Sequence, residues 1–145
     1  YLRLSGCDEV ILSNNYNKNI IADAFAKSGL AHVIGELVDA STPVNLTTED
    51  ISQHYIHKTY GELFDHYKTK NKILIGLLEN TGNFYDRKRF ALQEAQKTPD
   101  ISRLVDNLRM VKSMMSNYPV LNPKKSYIIK NFSKAVLIEG STENG

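Results

Sequence analysis

The sequence has 145 residues, 41% of them apolar and 23% charged, which is the balance of a folded chain and excludes a disordered tail. Its net charge of +2 is too small to mark a nucleic-acid partner, which calls for many uncompensated Lys and Arg on one face. The single cysteine, Cys7, excludes an internal disulfide, and no run approaches the roughly 18 apolar residues of a membrane span or the pattern of a secretory start.

The expectation is therefore a soluble chain in a reducing compartment. Tyr1-Leu2-Arg3-Leu4 opens without a methionine and reads as a chain entered in mid-domain. Asp8 to Ser13 then reads as a short buried strand. After the polar turn Asn14 to Asn17, a helix is predicted over about Lys18 to Ser28, with Gly29 as its C-terminal stop. A second helix follows at once, because Leu30, Val33, Ile34, Leu37 and Val38 fall at helical spacing and form one apolar stripe. So short a helix depends on tertiary packing, and the expected cover is a second copy of the chain. These five residues are the predicted dimer contacts.

The small polar residues before Pro43 read as a linker, with a domain boundary at 41 to 44. Val44-Asn45-Leu46 alternates as a half-buried strand does. Lys58 to Lys68 is a predicted helix with Tyr60, Leu63, Phe64 and Tyr67 on one face. Lys72 to Glu79 is a strand so rich in Ile and Leu that burial on both faces is expected, with Ile73, Ile75 and Leu77 in the core. Asn80-Thr81-Gly82-Asn83 signals a turn. A charged helix from Asp86 to Lys97 is broken at Thr98-Pro99-Asp100 and followed by a helical stripe of Ile101, Leu104, Val105, Leu108, Val111 and Met115. Lys134 to Gly140 is a final apolar strand, and Ser141 to Gly145 a frayed tail.

Candidate chemistry is sparse. His54 and His57, with His66 and Glu62, have some of the spacing of a metal site, but surface histidines are the stronger reading. Glu36 and Asp39, one turn apart, offer oxygen donors for a divalent cation, against the plainer reading of a solvated helix end. Cys7 and Ser13 lack an activating base, and Arg87-Lys88-Arg89 is read as an exposed helix face in preference to a phosphate contact. No paired catalytic constellation emerges, so the chain is not expected to be an enzyme.

Three stretches together, "IHKTYGELFDHY", "ILIGLLENTGN" and "LNPKKSYIIKNFSKAVLIEGS", resemble the C-terminal lobe of RCK domains, the regulators of potassium conductance attached to prokaryotic potassium channels and transporters. Lys58-Thr59-Tyr60-Gly61-Glu62-Leu63, Asn122-Pro123 and Ile138-Glu139-Gly140 stand in the family's order, although His57 takes a position usually held by Gly. Residues 5 to 40 are similar to the end of the family's N-terminal Rossmann lobe and its crossover helix. The implied fold is α/β (α+β): residues 1-41 end a Rossmann-like lobe, and residues 44-145 form a small α+β lobe with inserted helices at about 86-116. The phosphate-binding G-x-G-x-x-G is absent, so the nucleotide-binding half is expected upstream of Tyr1.

The resemblance implies a ligand-sensing, oligomerising module at the cytoplasmic face of the cell membrane. Its expected partners are a homodimer mate, within a larger ring, and a potassium pore domain, with no nucleic acid. Lys58, Thr59, Tyr60 and Ile75 are the expected ligand contacts, and a divalent cation or an adenine nucleotide the expected class of cofactor. Two alternatives stand beside this reading: a fragment of a dinucleotide-binding enzyme, and a protein-interaction module that uses the inserted helices.

Overall fold

A computed structural model describes residues 29–97 and 101–140 of the chain. The expected strand at 8–13, the helix at 18–28, Cys7, the break at 98–100 and the tail at 141–145 lie outside the described residues. The chain divides into two units, Tyr1–Leu46 with Ile138–Gly145, and Thr47–Leu137.

In the first unit the apolar stripe at 30–38 forms a nine-residue helix, α1 (Leu30–Val38). It starts from Gly29, whose positive φ of 88° suits a residue without a Cβ. Along α1 no residue is buried. A polar turn follows, in which the Thr42 hydroxyl donates to the carbonyls of Glu36 and Asp39 at 2.8 and 2.9 Å.

The second unit is α+β, and the first residues of β1 and the last of β4 run across its boundary. Its elements are β1 (Asn45–Asp50), a 3₁₀ turn (Gln53–Tyr55), α2 (Tyr60–Thr69), β2 (Lys72–Glu79), α3 (Phe84–Gln96), α4 (Ile101–Ser113), β3 (Tyr118–Leu121) and β4 (Lys134–Glu139). The strands form one sheet in the order β1-β4-β2-β3. β2 and β3 are antiparallel, with Gly76 opposite Leu121 and Glu79 opposite Tyr118. Helices α3 and α4 pack on each other and are an excursion between these two neighbouring strands.

β3 follows directly on the inserted helices expected at about 86-116, in a stretch where no strand was expected. Pro119 hides it from a strand reading, because a proline removes a ladder donor, yet β3 ends the strand order and an edge tolerates that loss. The signal on the opposite strand is Gly76, where an added Cβ would lie 2.5 Å from the Val120 carbonyl oxygen. A lone glycine inside a strand marks this kind of close backbone approach.

The core gathers Tyr60, Leu63 and Tyr67 of α2, Leu74 and Leu77 of β2, Ala135 and Leu137 of β4, Ile51 and Ile129. Leu74 and Leu77 are both buried, although strand alternation points them to opposite faces, as a strand covered on both sides requires. Ile73, expected in this core, is instead 56% exposed at the start of β2, while its neighbour Leu74, on the opposite face of the strand, is buried. The second helical stripe is likewise not a core element at Val105 and Met115, which are exposed, and Met115 lies beyond the end of α4.

Candidate functional site

The start of α2 is built by a second segment laid beside it. The His57 amide donates to the Ile129 carbonyl at 2.8 Å and Ile129 returns a bond to the Lys58 carbonyl at 2.9 Å, with Thr59 and Ile128 bridged as in an antiparallel ladder. Tyr60 and Gly61, the first two helical residues, donate their amides to the carbonyls of Tyr127 at 2.7 Å and Lys125 at 2.9 Å. Gly61 permits this approach: a Cβ there would stand 3.2 Å from Lys125 Cβ and 3.3 Å from its carbonyl oxygen. The Glu62 amide donates to Thr59 Oγ1 at 3.3 Å, and the Glu62 carboxylate accepts from the Thr59 amide at 2.9 Å and its hydroxyl at 2.8 Å. This capping box satisfies donors that a helix start otherwise leaves open. The bonds from Thr59, its amide first, hold the Glu62 carboxyl below its ordinary range.

This geometry assigns work to each expected ligand contact. Thr59 is the cap of α2. Tyr60 is buried, and its hydroxyl donates to the Leu74 carbonyl at 2.9 Å, which brings it to the strand position before Ile75. Burial holds the Tyr60 phenol above its usual pKa. Ile75 is half-buried, and its carbonyl takes the Asn122 amide at 2.8 Å. Lys58 carries the positive charge of the group: its Nζ lies 2.8 Å from His54 Nε2 and 5.7 Å from the centre of the Tyr55 ring. A cavity of about 140 Å³ opens nearby, walled by Glu49, Asp50, Tyr55, His66, Tyr67 and Lys70 among others, but by none of Lys58, Thr59, Tyr60 and Ile75. Its polar wall arises because β1 ends in the acids Glu49 and Asp50, held by Lys72 at 2.8 Å and Lys134 at 3.4 Å.

The expected dimer contacts lie on α1, where Val33 is 54% and Val38 64% exposed and Leu30, Ile34 and Leu37 are partly exposed. Glu36 and Asp39 are exposed at the same helix end. The Asp39 carboxylate accepts from the Ser41 amide at 2.9 Å and its hydroxyl at 2.7 Å, and these bonds lower its pKa. The histidines are not gathered: His54 faces Lys58, His57 lies 3.2 Å from the Asn131 amide nitrogen, and His66 stacks at 4.9 Å on Tyr55. Among the described residues no group of three or more His, Cys, Asp or Glu side chains has the geometry of a metal site.

Two polar clusters were not legible as such in the sequence. Glu79 is buried at the end of β2, where its carboxylate accepts from the Tyr127 hydroxyl and lies 3.5 Å from Lys130 Nζ. Burial, and then the bond to this carboxylate, raise the Tyr127 pKa. The basic triplet divides three ways, which corrects its reading as one exposed face. Arg87 is only 6% exposed; it donates to the Asn80 carbonyl and, at 2.9 Å, to Ser116 Oγ, while its Nε has no partner. Arg89 turns outward to Asp86 at 3.3 Å, and Lys88 lines a cavity between α3 and α4. Helical spacing alone separates these faces, and Asn80 at the end of β2 is the only local hint that Arg87 has carbonyls to reach.

No family model matches the sequence, and no curated protein does either.

Proposed function

We propose that this chain is a regulatory module that senses a ligand and oligomerises, controlling a potassium channel or a potassium-uptake transporter from the cytoplasmic face of the membrane. The observation that carries this reading is α1: the nine-residue helix is formed, none of its residues is buried, and Val33 and Val38 are exposed while Leu30, Ile34 and Leu37 are partly so. A stripe of this kind gains its stability from a partner surface. Supporting it, the KTYGEL segment begins a capped helix, the apolar strand follows, and Asn122 takes a positive φ of 45° before Pro123. His57, which stands where the resembled family has Gly, has φ 67°, a conformation glycine adopts freely. In this reading a ligand that prefers one arrangement of paired lobes biases the assembly, and the linkage moves the attached pore.

The test is oligomeric state by light scattering with the Ile34→Asp, Leu37→Asp double variant. A buried carboxylate without a partner is costly, so the dimer should dissociate while helical circular dichroism persists. An unchanged mass, or a native chain that is already monomeric, overturns the clasp. A thermal-unfolding panel with calcium, sodium, adenine nucleotides and cyclic di-adenylate tests the sensing. A ligand at about 100 times its dissociation constant stabilises the fold by roughly 2.7 kcal/mol, and a flat panel counts against sensing by this chain.

A further inference from the structure

Between α3 and α4 lies a cavity of about 260 Å³, lined by Phe84 and Lys88 from the first helix and by Val105, Arg109 and Lys112 from the second. The spacing explains the convergence. Phe84 and Lys88 are four apart, and Val105, Arg109 and Lys112 fall at i, i+4 and i+7, so each set occupies one face of its helix. Phe84 is 39% exposed, and its ring meets Tyr85 edge-on at 6.1 Å between centroids. With Val105 it supplies an apolar wall.

The charges are the unusual part. Three cations meet at this cavity, and among the described residues no carboxylate lines it. Five basic side chains elsewhere find acids: Lys72 has Glu49, Arg89 has Asp86, Lys97 has Glu94, Lys130 has Glu79 and Lys134 has Asp50; the other lysines without an ion pair, such as Lys68 and Lys124, do not converge on a shared cavity with an apolar wall. Among the described residues Lys88, Arg109 and Lys112 make no ion pair and no side-chain hydrogen bond. Like charges gathered around one concavity repel unless an anion sits between them. Such a cavity, apolar on one side with a few convergent polar groups, is the usual form of a small-molecule site, and its volume is near the lower end of the ~300–1,000 Å³ range.

We propose that this cavity binds a small phosphate monoester carried on a planar apolar body. The Arg109 guanidinium presents the fork that suits phosphate oxygens, and Lys88 and Lys112 add point charges. A dianion balances three cations better than a monocarboxylate does. The planar body lies against Phe84 and Val105, where stacking and apolar burial add to the charge attraction. This site shares no residue with Lys58, Thr59, Tyr60, Ile75 or α1, so it goes beyond the regulatory reading and does not depend on it.

The experiment is calorimetric titration of the full chain with phenyl phosphate and with adenosine 5′-monophosphate, set against inorganic phosphate, benzoate and adenosine. At least one aromatic phosphate should saturate one site at least tenfold more tightly than any of the three controls. Arg109→Gln and Lys112→Gln should each weaken it by about tenfold, and Lys88→Gln, a separate change on the other helix, should do the same. Affinity should also fall as pH drops through about 6, where the phosphate dianion takes up a proton and becomes a monoanion. Lys68→Met, at an exposed position that lines neither cavity, should leave the binding unchanged. The proposal is overturned by an absence of saturable binding to both esters, by inorganic phosphate binding as tightly as they do, or by undiminished affinity in all three glutamine variants.

Discussion

Helices α1 and α2 have nearly the same length, nine and ten residues, and each carries an apolar stripe, yet the chain treats them in opposite ways. α2 buries Tyr60, Leu63 and Tyr67 and is fixed at its start by the Thr59–Glu62 box. α1 is the more apolar of the two but buries nothing among the described residues, has no side-chain cap, and carries neither an acid in its first turn nor a base in its last. A stripe therefore announces that a face wants cover; it does not say which surface supplies it. Capping chemistry separates the cases better, because α2 is secured locally as well as packed, whereas α1 has no such local support.

The contrast is sharpest in the core. Leu63 is 1% exposed, and Leu63→Ala should cost roughly 2–5 kcal/mol through lost burial and a residual cavity. Leu37→Ala on α1, measured at a dilution that favours monomer, should stay within about 0.5 kcal/mol. Urea denaturation followed by fluorescence reads both. Equal costs would break the comparison and mean that α1 is covered within its own chain.

A glycine-to-alanine pair separates the regions by sign. At Gly76 the new Cβ would meet the Val120 carbonyl oxygen at 2.5 Å and Leu121 Cα at 3.0 Å. These are backbone atoms that cannot swing aside, so Gly76→Ala should destabilise by about 1–3 kcal/mol, with amide protection lost first across β3. At Gly35, within α1, nothing lies within 4 Å of the added Cβ. There the same change should gain helix stability by roughly 0.5–1 kcal/mol, seen as increased helical circular dichroism.

Much of the α2–β2 unit was legible in the sequence, and the reasons are local. Thr59 and Glu62 are spaced as a capping box, Tyr60, Leu63 and Tyr67 follow a 3.6-residue period, and the strand from Lys72 to Glu79 is bounded by a turn signal. α3 and α4 were legible as helices for similar reasons. β3 was not, because Pro119 argues against a strand and only the tertiary position at the sheet edge overrides it. The burial of Arg87 and Glu79 was also out of reach, since each depends on groups distant in sequence: Ser116 for the first, Tyr127 and Lys130 for the second. The α3–α4 cavity had its residues in view, but the convergence of Lys88, Arg109 and Lys112 becomes visible only once two helices are placed together.

Removing the cap sharpens the contrast at a smaller scale. Thr59→Ala should cost about 1 kcal/mol, and it should also alter the response to acid. The Glu62 pKa is lowered in the fold from an ordinary value near 4.5. Its contribution is therefore fully present above that value and is lost as pH falls through the lowered folded one. In acid titration of stability, this portion of the loss should shrink in Thr59→Ala. An unchanged acid limb would mean that Thr59 does not set the Glu62 pKa.

The smallest effect concerns His57, just ahead of α2. Its φ of 67° places a side chain in the left-handed region, which costs an L-residue roughly 1–2 kcal/mol that glycine avoids. Glycine in turn gives the unfolded chain more freedom to lose, which offsets about 0.5–1 kcal/mol of that gain. His57→Gly should therefore stabilise the fold by less than about 1 kcal/mol, a rise of a few degrees in the unfolding midpoint. Val at this position should be worst of the three, since a β-branched residue tolerates positive φ poorly. The order Gly, His, Val would mark position 57 as a conformational glycine site occupied by histidine. A native protein more stable than His57→Gly would mean that the contact with Asn131, at 3.2 Å, outweighs the backbone term, and that the histidine is kept for its ring.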